Sequence, residues 1–283
     1  NCLKADKTGN IWFGTNNGLS NLSATRGRFE YFPISYRHKN IQVGYELRDI
    51  IESSNGSYWI ASQNGAINYG QNQQLIRVLN SAQTGDRKLA DDNTTKLLEN
   101  KKGNIWIASN GGLAIWNPTT KKLKSFPADN SSGKGLRSNY VQSFHQLQDG
   151  TLLINTQKGL HKAIERNNTT EFEFIRNIGF NSKMGNDFLW ALQYSRLLKI
   201  NPQTFKTEES IEIKVDGRNV EFYTFLLTNN KIIWLGAKNG LMRYDISSKE
   251  YVFFELKSNK TFPLISLLED NNGDIWAASY SAI

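Results

Sequence analysis

The chain has 283 residues, of which 39% are hydrophobic and 12% aromatic, with a net charge of +8 and a single cysteine, Cys2. It contains no apolar run of 18 residues, which excludes a membrane-spanning helix, and one cysteine excludes an internal disulfide while leaving the compartment open. Lys and Arg are spread along the chain, with only short clusters at 37–39 and 121–124, which argues against a nucleic-acid surface. The basic balance, with a pI of about 9.4, leaves two readings: a solvated surface, or long-range attraction for an acidic ligand.

In chain order, the first feature is a turn at Asp6-Lys7-Thr8-Gly9, with Asp opening and Gly closing it as type I turns prefer. The run Asn10-Ile11-Trp12-Phe13-Gly14-Thr15 follows, apolar at consecutive positions, and predicts a strand buried on both faces. Asn16-Asn17-Gly18 supplies a tight hairpin turn into a third strand. Arg28-Phe29-Glu30-Tyr31-Phe32, more polar and aromatic, predicts a fourth.

This unit then recurs. Tryptophans mark it at Trp12, Trp59, Trp106, Trp190, Trp234 and Trp276, the first three 47 residues apart, and Leu153 holds the place of the fourth marker. Trp116 lies off the pattern. Nine residues before each marker stand Leu3, Ile50, Leu97, Phe144, Phe225 and Leu267, with Asn181 breaking the rule in the fifth unit. Glycines precede the marker at Gly9, Gly56, Gly103, Gly150 and Gly273, and follow it at Gly18, Gly65, Gly112, Gly159 and Gly240. An apolar residue follows directly: Leu19, Ala66, Leu113, Leu160, Leu197, Leu241 and Ile283.

Four antiparallel strands whose second member is buried on both faces need a neighbouring sheet on each side, and a ring of such sheets meets that need for every unit. The prediction is an all-β fold: a β-propeller of seven blade positions, each a four-stranded antiparallel sheet, forming a single domain over residues 1–283. No helix longer than about two turns is expected, since no 3.6-residue period is sustained. The small residues Gly14, Ala61, Ala108, Gly236 and Ala278, two after their markers, leave room for bulky side chains of the next blade. The repeat frame places residue 1 inside an inner strand and residue 283 where a third strand starts. The expectation is therefore a piece of a longer protein with its seventh blade incomplete.

The string from Asp6 to Leu19, Asp-x-x-Gly-Asn-Ile-Trp-Phe-Gly-Thr-Asn-x-Gly-Leu, resembles the two-component regulator propeller repeat. Ser138-Asn139-Tyr140-Val141 after Gly135-Leu136 is similar to that family's lead into an inner strand. The resemblance covers nearly the whole chain and is weakest over 180–212. It implies the periplasmic sensor region of a hybrid two-component histidine kinase, where propellers and a β-sandwich precede a membrane helix and kinase. It further implies oligosaccharide sensing, other sensor domains of the same parent chain as partners, and a dimeric full-length protein. These motifs are structural and carry over no catalytic or ligand residue.

The chemistry-bearing residues are few. No HExxH, paired Cys, Walker loop or GxSxG occurs, so no catalytic residue, metal or cofactor is expected, and the fragment is not expected to be an enzyme. His145 falls in an inner strand, where a packed or solvated histidine is commoner than a catalytic one. Three links between blades are long and polar, 35–44, 80–92 and 128–139, and rigid scaffolds commonly carry recognition on such loops. Tyr36, Arg37, His38, Lys39, Arg87, Lys134 and Arg137 are the candidate ligand-binding residues, with Lys88 beside them; solvated loops have a similar composition. The leading reading is an extracytoplasmic sensor propeller. The alternatives are a propeller enzyme, either a polysaccharide lyase or a glycoside-processing one, and a protein-interaction scaffold.

Overall fold

The computed structural model describes residues 2–15, 18–25, 27–32, 36–38, 41–43, 46–70, 74–129, 131–166, 169–179, 181–228, 231–256 and 262–279, with the backbone alone for those between 31 and 43. The doubly buried strands are where consecutive apolar residues place them: all five residues of Ile105–Ser109 and of Leu152–Thr156 are buried, as are the first four of Ile11–Thr15. Each is the second strand of an antiparallel sheet whose strands lie in chain order, so each has a hydrogen-bonded neighbour on both sides.

The chain divides into two compact units. Asn1–Arg176 holds four four-stranded sheets. The first comprises Cys2–Ala5, Ile11–Thr15, Gly18–Leu22 and Phe29–Phe32, and the second Asp49–Glu52, Tyr58–Ser62, Gly65–Tyr69 and Leu75–Leu79. The third comprises Thr94–Glu99, Ile105–Ser109, Gly112–Asn117 and Lys122–Phe126, and the fourth Val141–Gln146, Leu152–Thr156, Gly159–Arg166 and Thr169–Arg176. Asn177–Ile283 holds two more, the fifth (Asn181–Met184, Leu189–Gln193, Arg196–Ile200, Thr207–Glu212) and the sixth (Phe222–Thr228, Ile232–Ala237, Gly240–Asp245, Tyr251–Glu255). These sheets are the blades of an all-β propeller. Among the described residues there is no α-helix, only a single 3₁₀ turn at Gly85–Arg87.

The blade count corrects the sequence reading of seven positions with the last incomplete: among the described residues six four-stranded blades form, not seven. The seventh repeat unit contributes only the pair Leu264–Glu269 and Ile275–Ser279, because a blade needs four strands and the described part of this unit holds two.

Within a blade the recurrent polar residues lock turns. Asp6 Oδ1 accepts the Thr8 and Asn10 amides, closing the first turn, while Oδ2 accepts the indole N–H of buried Trp12 at 2.8 Å. Asp270 and Trp276 repeat this bond at 2.9 Å. In the third blade Asn100 still holds the turn through the Lys102 and Asn104 amides, but the Trp106 indole nitrogen is buried without a partner. The other turn has its own lock: the Thr15, Ser62, Ser109 and Thr156 hydroxyls donate to the carbonyls of Gly18, Gly65, Gly112 and Gly159. Gly112 has φ +109°, and a Cβ there would stand 2.5 Å from the Phe126 carbonyl oxygen, so the outer strand can pair only against glycine.

Between blades the small residues work as their size suggests. A Cβ on Gly14 would meet Leu47 Cβ at 3.0 Å. Leu47, just after the first link, and Leu89 and Leu136, in the second and third, are all fully buried and pack in the clusters holding Trp12, Ala61 and Ala108. Glutamates at the ends of inner strands reach back to the preceding blade's turn. Glu52 accepts the Lys7 amide at 3.2 Å and pairs with its ammonium, and Glu99 accepts the Ser54 amide and hydroxyl at 2.6 and 2.7 Å. Asn181, the exception among apolar positions, donates to the Tyr223 carbonyl of the next blade at 2.6 Å, replacing packing with a hydrogen bond. Trp116, off the repeat, is buried beneath the Arg77 guanidinium, 5.0 Å from its ring.

Removing the Asp6 carboxylate strands a buried indole N–H and opens a turn, so Asp6→Ala should cost about 1–3 kcal/mol. Asp6→Asn should cost less, since Oδ1 keeps the Thr8 and Asn10 backbone amides while only the Oδ2 bonds to the Trp12 indole and the Asn10 side-chain amide are lost. Urea denaturation of the three proteins checks the order; equal midpoints for all three would show that the bond contributes nothing.

Candidate binding surface

In the first unit the links between blades meet the turns between second and third strands. The Leu47 amide donates to the Thr15 carbonyl at 3.2 Å, Asn110 to Asn93 at 3.1 Å, and Gln157 to Tyr140 at 2.9 Å, while Thr94 Oγ1 accepts the Ser62 amide at 2.8 Å. The three polar links therefore lie at the same end of their blades, on the scaffold just described.

In the first link, Tyr36–His38 pairs with Ile41–Val43 in a two-stranded hairpin, in which Tyr36 faces Val43, Arg37 faces Gln42 and His38 faces Ile41. Lys39 lies outside the described residues. The sequence predicts a loop here, and the structure pairs its backbone as a hairpin instead.

The second link is a closed loop. The Leu89 amide donates to the Asn80 carbonyl at 3.1 Å, the Ser81 amide to the Asp92 carboxylate, and Lys88 to Gly85 at 3.2 Å. With Leu89 buried, residues 84–87 are held outward, and Arg87 ends the 3₁₀ turn. Thr84, Gly85, Asp86 and Arg87 form one wall of a groove of about 510 Å³. Thr120, Lys121 and Lys122, from the turn between the third and fourth strands of the third blade, form the other.

In the third link the cations, though exposed, are paired with groups of the fourth blade's outer strand. The Lys134 ammonium pairs with Glu171 at 3.0 Å, and its carbonyl accepts the Phe172 amide at 2.7 Å. The Arg137 guanidinium lies 3.4 Å from the centre of the Phe174 ring. Its amide donates to His161 Nε2 at 3.1 Å, while His161 Nδ1 lies 3.0 Å from the Gly159 carbonyl. A ring that accepts at Nε2 must donate at Nδ1, so His161 is the neutral Nδ1–H tautomer. Burial, with the Arg137 charge adding to it, pushes its pKa below the ordinary histidine value despite the opposing hydrogen bond to Gly159. Asp129 folds the start of this link by accepting from Ser131 and Ser132, and those bonds hold its carboxyl far below the usual range.

Of the seven sequence-predicted residues, Lys134 and Arg137 share a link with their partners on one outer strand, and Arg87 alone lines the groove. Lys121 and Lys122, which complete the groove, were visible in the sequence only as a charge cluster. What joined them to Arg87 is the packing of the second link on the third blade's outer strand, which pairs Asp86 with Lys122 at 3.2 Å. His145 is buried in its inner strand, 3.1 Å from the Ser143 hydroxyl. Among the described residues no group of three His, Cys, Asp or Glu is placed to hold a metal ion.

No protein-family model and no curated protein matches this sequence. Solved structures do. The extracellular domain assigned to the hybrid two-component system BT4673 of B. thetaiotaomicron superposes with a TM-score of 0.75 at 21% identity, covering 98% of this chain and 39% of that one. The corresponding domain of BT3049 from the same organism gives 0.75 at 18%, covering 99% and 38%. Its structural neighbours are extracellular domains of hybrid two-component systems. The same fold also matches a streptogramin B lyase, with a TM-score of 0.73 at 16% identity over 99% of this chain and 90% of the lyase. At these identities the likeness establishes the fold. The chain spans about two fifths of the length of the two sensor domains. No helix among the described residues is long and apolar enough to cross a membrane.

Because His161 is neutral in the fold and takes a proton near pH 6.5 once unfolded, its contribution to stability is complete above about pH 6.5. That contribution is lost as pH falls from there toward the depressed folded pKa. Between pH 7.5 and 5.5 the urea midpoint should fall further for the wild type than for His161→Gln. Parallel losses would show that His161 does not titrate with unfolding.

Proposed function

We propose that this chain is the propeller part of an extracytoplasmic sensor, in the periplasmic region of a hybrid two-component regulator. In this reading a kinase outside residues 1–283 receives the signal. The observation that carries it is the pattern of coverage: the whole chain superposes on part of two sensor domains, as one module of a larger extracellular region would. The seven-position, single-domain reading belongs to the same proposal, with further strands completing the seventh unit. So do a dimeric parent, contacts with its other sensor domains, and the absence of nucleic-acid binding. The ligand is an oligosaccharide with acidic groups, met by basic residues that the links carry on an anchored scaffold. Binding shifts the population of two arrangements of the sensor rather than driving chemistry.

The lyase superposition, covering nearly all of both chains, favours a second reading, a propeller enzyme. His161 gives it little support, since both ring nitrogens are committed to backbone groups in a buried position. His145 is the remaining histidine with a described side chain.

Two experiments decide. The gene downstream of codon 283 should encode a membrane helix and histidine-kinase motifs; a stop soon after the repeats would overturn the sensor reading. Incubation with streptogramins and with acidic polysaccharides should give no turnover, whereas turnover abolished by His145→Ala would establish the enzyme.

A further inference from the structure

We propose that the groove between the 80–92 link and the Thr120–Lys122 turn of the third blade is an oxyanion site, taking the sulfate or carboxylate group of an acidic saccharide. That the oxyanion belongs to a saccharide rests on the sensor reading; the oxyanion site does not.

Charge is the first argument. Arg87, Lys121 and Lys122 face one acid, Asp86, which pairs with Lys122 at 3.2 Å. Both members of that pair are about two-thirds exposed, so water screens it and it holds neither group tightly. Among the described residues Arg87 and Lys121 have no carboxylate partner. Three other cations of this unit each have one partner of their own, Lys102 with Glu165, Lys134 with Glu171 and Arg137 with the Phe174 ring, whereas in the groove three cations share one acid.

The second argument lies beside the groove. Arg77, on the second blade's outer strand, stacks over Trp116, whose strand leads into the turn bearing Lys121 and Lys122. Its Nε and the Trp116 indole nitrogen are both buried without hydrogen-bond partners. Burial first, and then the charge of Arg87, lower the Arg77 pKa, so two guanidiniums repel across this region. A positive potential left uncompensated by the fold is complementary to an anion.

Preorganisation is the third. One wall is a loop closed by the Asn80–Leu89 bond over a buried leucine. The other is a turn whose Thr119 and Thr120 amides are bound by Asn117 Oδ1 at 3.0 and 2.8 Å. Neither has to be ordered on binding, which spares affinity. The volume, about 510 Å³, suits a sugar ring with a charged substituent, and the Thr84 and Thr120 hydroxyls add neutral hydrogen bonds.

The test is an amide NMR titration at matched ionic strength with sodium chloride, sodium sulfate, a sulfated uronate disaccharide and its neutral counterpart. Saturable shifts confined to 84–87 and 120–122 are expected with sulfate and disaccharide, tighter for the disaccharide, and absent with chloride. Arg87→Gln with Lys121→Gln, both exposed positions, should weaken binding at least tenfold, while Lys134→Gln with Arg137→Gln should leave it unchanged. Shifts that spread over the basic surface, or that ignore the Arg87 and Lys121 changes, overturn the site. Sulfate binding with no gain from the disaccharide overturns the saccharide assignment. Neutral disaccharide binding elsewhere, indifferent to both double variants, removes the groove and leaves the sensor reading standing.

Discussion

A strand buried on both faces cannot exist in an isolated sheet, and the rest of this structure follows from that constraint. Trp12, Trp59 and Trp106 sit on such strands, each with relative exposure of 8% or less, so a blade standing alone would present indoles to water. The hydrophobic gain from covering them is large, on the order of 25 cal/mol per Å² of apolar surface. It is realised only when the next sheet arrives. The small residue beside each marker and the leucine in or just after each link are the two halves of that closure. Gly14 accommodates Leu47, and Gly236 accommodates Leu264.

Hydrogen bonding then selects one register. Described turns in the first unit's blades are tied to their own strand or to a neighbouring blade, through Asp6 and Asn100, through the Thr15-type hydroxyls, and through Glu52 and Glu99. These groups are cheap in sequence terms: a carboxylate, amide or hydroxyl at the right offset satisfies amides that burial would otherwise leave unpaired. The links, fixed at both ends, are free to vary between them. That division between a rigid repeated frame and variable connections is what makes the link-bearing end suited to recognition.

The repeat period made the fold legible. Consecutive apolar residues around each tryptophan, with turn residues at constant offsets, specify a second strand that needs two neighbours, and the blades fall where that reading placed them. The turn role of Asp6 and Asp270 was equally visible, but their bonds to Trp12 and Trp276 were not, because a carboxylate six residues from an indole has no signature outside the folded turn. The hairpin Lys214–Val215 with Arg218–Asn219 was missed although Asp216-Gly217, both with positive φ, is a strong hairpin signal. It lies next to the weakest stretch of the repeat and outside the offsets that the period defines. The candidate site was least legible. Arg87 and Lys121 are far apart in sequence and meet through packing of a link on an outer strand, which no offset encodes.

The account's central claim is that second strands are enclosed by the sheets packed against them within a unit, and amide hydrogen exchange measures this most directly. Ile105–Ser109 and Leu152–Thr156 should be among the slowest amides, exchanging only with global unfolding, while the exposed outer strand Tyr251–Glu255 should exchange through local opening orders of magnitude faster. Comparable, fast exchange in all three would mean that the second strands are not enclosed, and the blade-on-blade account would fail.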